Sequence, residues 1–199
     1  MELYVAPLLA LLLGYGLGSI PFGLVLTRIF GGPDLRAIGS GNIGATNVLR
    51  TGRKDLAALT LLLDIGKGFA AVALARLAFD AYGHLAAVGA FLGHCHPVWL
   101  GFRGGKGVAT LGGVLLGIYW VLGLAYAGVW LAVLLVTRFS SAAGIAAAAL
   151  TPVIAAALGR FDLSILTLAF ALLVLWKHRG NLERLIAGTE PRVGERRRG

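Results

Sequence analysis

From Val108 to Thr137 the chain reads VATLGGVLLGIYWVLGLAYAGVWLAVLLVT, thirty residues without a charge. An apolar run of about 20 residues already matches the hydrocarbon thickness of a bilayer. Further apolar segments lie at 4–26, 56–79, 84–100, 142–159 and 162–176. Only 14% of the 199 residues are charged, against roughly 25% in soluble domains. Within lipid every backbone N–H and C=O needs a partner inside the protein, which helices supply residue by residue. The expected fold class is therefore an all-α polytopic membrane protein. The first apolar block follows Met-Glu with neither a basic leader nor a small-residue cleavage site, so it reads as a retained first span.

The run 108–137 can form one long tilted helix or two short ones joined near Tyr119–Gly123. Charge decides between them. With loop 28–67 inside and two crossings in 108–137, 16 of the 18 Lys and Arg fall on the cytoplasmic side, leaving Arg76 and Arg160 outside. A single crossing would place Arg138 and the seven C-terminal cations outside, nine on each face. The positive-inside bias favours the first arrangement. It predicts seven transmembrane helices, the N-terminus periplasmic and the C-terminus cytoplasmic, with two of the helices short at about 14 residues. Residues 1–191 are expected to form a single membrane domain and 192–199 a basic, disordered tail near anionic headgroups. The net charge of +9 is then topological and implies no nucleic-acid partner. One cysteine, Cys95, rules out an intramolecular disulfide framework.

In this topology the polar residues collect on one face, in loops 28–55 and 101–107, the turn 137–141 and the tail from 177. A transporter would carry polar or broken helices at the midplane; here Asp64 and Lys67 are the main polar exceptions within a span. Small-residue stretches such as GYGLGSIPFG (14–23) and AAGIAAAAL (142–150) suit close helix packing.

Three cytoplasmic segments carry chemistry. IGSGNIGATNVLR (38–50) gathers Ser40, Asn42, Asn47 and Arg50 among glycines. Such a loop can bring backbone amides, hydroxyl, amide and guanidinium donors to an anion; as a plain loop it would only cap a helix at Ser40 or Asn47. GFRGGKG (101–107) departs from the nucleotide-binding P-loop, because Leu100 stands where its first glycine belongs and Gly107 where its Ser or Thr belongs. Gly104, Gly105, Lys106 and Gly107 can still form an anion nest where the next helix starts near Val108. Two cations alone would serve as a stop-transfer cluster, but orientation needs no glycine. In KHRGNLERL (177–185), His178, Asn181 and Arg184 are three residues apart and would share a face if the last helix continues. A histidine there is suited to general-base work. His94-Cys95-His96-Pro97 is poor metal-site spacing, and neither metal nor cofactor is expected.

GSIPFG (18–23), GSGNIGATN (39–47), GFRGGKGVAT (101–110) and the tail H-x-x-N-x-x-R-L-x-x-G-T-E-P (178–191) resemble, in order and over nearly the whole chain, the bacterial acyl-phosphate-dependent glycerol-3-phosphate acyltransferases, the PlsY family. One departure is His96, where an aromatic is expected. The resemblance implies a seven-span enzyme of the bacterial inner membrane with its active site on the cytoplasmic face. It implies acyl transfer from acyl phosphate to the 1-hydroxyl of sn-glycerol 3-phosphate, releasing lysophosphatidic acid and phosphate, without an obligate protein partner. Direct attack fits the absence of a G-x-S-x-G nucleophile elbow. His178, Asn181, Ser40 and Arg50 are then the candidate catalytic residues. Asn42, Asn47, Gly104, Gly105, Lys106, Gly107 and Ser141 are the candidate phosphate binders. The base is His178 or a phosphate oxygen of a substrate, and Glu190 matches the family tail, where it can tie the tail down. A small phosphate or glycerol 3-phosphate transporter is the competing reading. A CDP-alcohol phosphotransferase would need clustered aspartates for metal, and Asp34, Asp55 and Asp64 are scattered.

Overall fold

The structure is a computed structural model and describes residues 2–194. Among the described residues it is all helical: α1 (Glu2–Gly18), α2 (Phe22–Ile29), α3 (Ala45–Leu49), α4 (Lys54–Phe79), α5 (Gly83–Cys95), α6 (Val108–Ile118), α7 (Trp120–Thr137), α8 (Ser140–Ala157), α9 (Phe161–Lys177) and α10 (Arg179–Ile186). The chain packs as two compact units, Met1–Gly123 and Leu124–Gly199. Among the described residues four stretches are long and apolar enough to cross a membrane: Val5–Ile29, Lys54–Leu100, Trp120–Thr137 and Ser140–Ala157. The second of these holds two helices, α4 and α5. The bent pair α9–α10 makes a fifth when taken together, and α6 is a shorter apolar helix.

The boundaries differ from the sequence expectation in three places. The run 108–137 does break, at Tyr119, whose backbone is extended (φ −152°, ψ 100°). The halves are unequal, 11 and 18 residues, rather than two of about equal length. The segment 84–100 is helical only to Cys95, followed by Pro97 and a single 3-10 turn over Val98–Leu100. The first segment, read as continuous over 4–26, is interrupted after Gly18. Pro21 explains the interruption, since it lacks an N–H and pushes Ile20 out of the helical region.

A helix broken inside an apolar environment must find donors for its freed carbonyls. Here side chains from elsewhere in the first unit supply them. Trp99 Nε1 donates to the Ser19 carbonyl at 2.8 Å, and Lys67 Nζ donates to the Ile20 carbonyl at 2.7 Å. Tyr15 donates its hydroxyl to the His96 carbonyl at 2.8 Å, joining the end of α1 to the turn after α5.

Glycine lets the helices of the first unit approach this closely. On α1, a Cβ at Gly14 or Gly18 would overlap the carbonyls of Ala86 and Ala90 on α5. On α5, a Cβ at Gly89 or Gly93 would overlap the carbonyls of Leu11 and Tyr15 on α1. Both pairs have G-x-x-x-G spacing, so two glycine faces meet reciprocally, as the small-residue pattern predicts. At the far end of α4, Arg76 donates to the carbonyls of Gly117 and Ile118 at 2.7 and 2.9 Å, capping the short helix α6.

In the second unit α8 packs on α9, and Ala143, Ala147 and Ala155 of α8 are buried. The condition for a shared face of His178, Asn181 and Arg184, that the last helix continue past residue 177, is not met. The helix stops at Lys177, and the chain turns by 61° into α10. Beyond α10, Val193 N–H donates to the Arg138 carbonyl at 2.8 Å, and the Arg192 guanidinium lies 5.1 Å from the Phe139 ring centroid. Residues 192–194 of the expected tail are thus described and engaged with the α7–α8 turn, while 195–199 lie outside the described residues.

Candidate functional site

The first unit builds a compact loop from residues 35–50 around one side chain, Asn47, on the short helix α3. Asn47 is 2% exposed. Its amide nitrogen donates to the carbonyls of Leu35, Ile38 and Asn42 at 2.8, 3.2 and 2.7 Å, while its oxygen accepts the Ser40 N–H at 3.2 Å. Its donors, and one bond to its oxygen, are spent on shaping the loop. Asn42 Oδ1 accepts the Gly44 N–H at 3.2 Å, a local Asx turn that introduces α3. Gly39 has φ +57°, and a Cβ there would overlap Asn47 Oδ1 and lie 3.1 Å from an Arg50 guanidinium nitrogen. Ser40, Asn42, Asn47 and Arg50 are therefore brought together, with Ser40 and Arg50 at the exposed surface and Asn47 beneath them.

The second segment, GFRGGKG, folds back onto the end of α5. Gly104 N–H donates to the Cys95 carbonyl at 3.2 Å and Gly105 N–H to the His94 carbonyl at 3.0 Å. Two of the amides expected to line an anion nest are thus engaged inside the chain and anchor the loop. Lys106 follows, half-buried, and Gly107 (φ +84°) leads into α6 against the ring of Phe91. Arg103 is exposed. Beneath the loop, the imidazole of His94 lies 3.8 Å from the carboxylate of Asp64.

The second unit gathers the tail residues around Glu190, which is 8% exposed. Its Oε1 accepts from Ser141 Oγ and from Asn181 Nδ2, both at 2.6 Å, and its Oε2 accepts from Arg184 Nε at 2.7 Å. Burial pushes this carboxyl up, yet the three donors outweigh it and hold the pKa below the ordinary glutamate value. His178 is 3% exposed at the bend between α9 and α10. Its Nδ1 lies 2.8 Å from the Val174 carbonyl. A carbonyl oxygen only accepts, so this hydrogen bond puts the proton on Nδ1 and leaves Nε2 as the basic nitrogen.

The structure therefore joins Ser40, Asn42, Asn47 and Arg50 in one cluster and Ser141, Asn181, Arg184 and Glu190 in another. His178, Asn181 and Arg184 would share a face only on a continuous helix; the bend instead puts His178 before α10 and the other two on it. Sequence reasoning gave Glu190 only a tethering role. The available signal was its place in the G-T-E-P segment, 188–191.

The glycerol-3-phosphate acyltransferase family model matches residues 8–188, which run through both units. A glycerol-3-phosphate acyltransferase of Erythrobacter litoralis is 53% identical over 98% of this chain and 100% of its own length. One from Maricaulis maris is 56% identical over 91% of this chain and 84% of its own. Among solved structures, the glycerol 3-phosphate form of PlsY (YgiH), an integral membrane glycerol 3-phosphate acyltransferase, superposes with a TM-score of 0.88 at 36% identity, covering 94% of this chain and 96% of that one. Its lysophosphatidic acid form gives 0.85 at 35% identity and 94% coverage of each chain. With the family model covering most of its length and relatives above half identity end to end, this chain belongs to the glycerol-3-phosphate acyltransferase family.

Proposed function

We propose that the protein transfers a fatty acyl group from acyl phosphate to the 1-hydroxyl of sn-glycerol 3-phosphate, giving 1-acyl-sn-glycerol 3-phosphate and inorganic phosphate. The observation that carries this reading is the likeness, across nearly the whole chain, to an acyltransferase solved in glycerol 3-phosphate and lysophosphatidic acid forms. Both proposed substrates are phosphate anions, and the two glycine-bearing loops of the first unit carry Ser40, Arg50 and Lys106.

In the reaction the glycerol hydroxyl oxygen attacks the acyl carbonyl carbon of the mixed anhydride. The bond from that carbon to the phosphate oxygen breaks, and phosphate leaves with the electron pair. The hydroxyl proton passes to Nε2 of His178, the nitrogen left basic by the Val174 contact. Ser40, Arg50, Lys106 and Gly107 hold phosphate and neutralise the charge growing on the leaving group. Asn47, Gly104 and Gly105 act by shaping and anchoring these loops, because their donors already hold other parts of the chain; Asn42 shapes its loop through Oδ1 and offers its amide nitrogen to phosphate. Ser141 and Asn181 act in the same way in the second unit, through Glu190.

The topology we propose has seven crossings, formed by α1, α4, α5, α6, α7, α8 and α9, with the N-terminus periplasmic. The C-terminus and the reactive loops face the cytoplasm, in the inner membrane of a bacterium. The cation distribution supports this orientation. Residues 1–191 act as one membrane domain, in line with a family match that crosses the boundary between the units.

The test is purified protein in detergent with acyl phosphate and radiolabelled glycerol 3-phosphate, and with acyl-CoA and acyl-carrier protein as control donors. Lysophosphatidic acid formed from acyl phosphate alone is the expected result. Product from acyl-CoA and none from acyl phosphate would overturn the donor assignment. Flux of glycerol 3-phosphate into proteoliposomes without any product would point to transport instead.

A further inference from the structure

Helix α4 carries two charges inside a membrane-length apolar stretch. Asp64 and Lys67 are 3% and 5% exposed, and Oδ1 of Asp64 contacts Nζ of Lys67 at 2.6 Å. Withdrawing such a pair from water costs more than packing two apolar side chains of the same size. Helix stability alone therefore gives no reason for it to be there. Each member, however, reaches a second element. Lys67 donates to the Ile20 carbonyl released by the break between α1 and α2, and its ammonium lies 5.7 Å from the Phe22 ring centroid. Asp64 faces Nδ1 of His94 at 3.8 Å.

His94 in turn touches the GFRGGKG loop at two points. Its carbonyl accepts the Gly105 N–H at 3.0 Å. Its imidazole Nε2 occupies the space that a Cβ at Gly105 would fill, and its carbonyl the space of a Cβ at Gly104. A line therefore runs from Ile20 through Lys67, Asp64 and His94 to Gly105, the residue directly before Lys106; its Asp64–His94 step is a 3.8 Å approach of buried polar atoms, longer than a hydrogen bond. The two glycines are small because the histidine lies against them.

We propose that Asp64, Lys67 and His94 are positioning residues for the acyl-transfer reaction: they fix the backbone of Gly104–Gly105 and so set where Lys106 is presented to a substrate phosphate. This rests on the reading of residues 104–107 as a phosphate-holding loop. None of the three touches substrate. Their effect is geometric, in a setting where displacement of a binding group by about 1 Å can cost up to roughly a hundredfold.

The experiment compares Asp64→Asn, Lys67→Met, His94→Gln, Gly105→Ala and Lys106→Met in the purified full-length enzyme. It measures kcat, KM for each substrate, inhibition by inorganic phosphate, and thermal midpoint. If the proposal holds, Lys106→Met raises KM for one substrate and weakens phosphate inhibition. Asp64→Asn, His94→Gln and Gly105→Ala then raise KM for that same substrate by roughly tenfold or more, with a smaller change in kcat. Gly105→Ala leaves the buried charges in place, so it reports on loop position even where a charge variant fails to fold. Adding His94→Ala to Gly105→Ala removes the overlap and is expected to recover part of the KM loss. If Lys106→Met raises KM while folded Asp64→Asn, His94→Gln and Gly105→Ala keep wild-type KM and phosphate inhibition, the positioning role is overturned. If Lys106→Met itself changes neither quantity, the phosphate-holding reading fails first and the positioning role falls with it.

Discussion

Asn181 and Glu190, nine residues apart, are joined by a 2.6 Å hydrogen bond from Nδ2 to Oε1 that ties the α10 helix to the chain beyond it. The same carboxylate accepts hydrogen bonds from Ser141 and Arg184, so a single acid gathers α8, α10 and the tail of the second unit. Substrate recognition by Asn181 or Ser141 would have to compete with this carboxylate. Their polar groups instead hold the segment that follows His178.

Glu190→Ala is expected to destabilise the protein by about 2–4 kcal/mol, because it strands the buried donors of Ser141 and Asn181. The effect depends on pH with a definite sign. The folded pKa lies below the ordinary value of 4.5. Such a carboxyl stabilises the fold fully above its unfolded pKa, and the contribution is lost as pH falls through the folded one. Thermal unfolding in detergent should show the wild type losing its advantage over Glu190→Ala only on acidification below about 4.5. Parallel midpoint curves for the two proteins across that range would refute the assignment.

A second prediction concerns the loop built on Asn47. Asn47→Leu removes four hydrogen bonds and strands three carbonyls and one N–H. A loss of roughly 2–4 kcal/mol follows, even though leucine is similar in size. Gly39→Ala should damage the same loop by a different route, since its φ of +57° and the adjacent Asn47 oxygen both exclude a Cβ. Both variants are expected to lose acyl transfer, and Asn47→Leu to lower the thermal midpoint. Full activity in either would show that the loop's shape is irrelevant to the reaction.

These residues mark how far the sequence could be read. Hydropathy exposes the apolar helices because lipid requires long uncharged runs, and charge bias separates α6 from α7 although Tyr119 is an ordinary residue. Residue type also brought Ser40, Asn42, Asn47 and Arg50 to notice. What type cannot convey is direction. Asn47 points inward and is consumed by carbonyls, and the amides of Gly104 and Gly105 point back at α5. The bend at His178 has no proline or glycine at the break to announce it. The Lys67 contact with Ile20 spans 47 positions, beyond the reach of any local pattern.

The glycine seam between α1 and α5 gives a prediction about packing alone. Gly89→Leu would drive a side chain into the Leu11 carbonyl, where even a Cβ overlaps. Helix association in lipid depends on close contact between small residues rather than on water exclusion, so the two helices must separate. The expected result is a lower thermal midpoint and loss of activity. Gly16→Leu, at a position where a Cβ meets no neighbour, should change the midpoint little. Equal tolerance at the two positions would contradict the seam.

The last prediction separates two jobs of His178. Its Nδ1 contact to Val174 helps shape the bend, while Nε2 is the proposed base. Asparagine can place an amide donor near the Nδ1 position and keep the bond to Val174, but it has no basic nitrogen. His178→Asn should therefore preserve the thermal midpoint while kcat falls roughly 10²–10⁴-fold, the usual contribution of a positioned base. KM for glycerol 3-phosphate should move much less than kcat, because the loss lies in the transition state. His178→Ala should lose both rate and some stability. If His178→Asn keeps a near wild-type kcat, the imidazole is not the base. The hydroxyl proton then passes to a phosphate oxygen, which is competent for the task because its second pKa lies near 6.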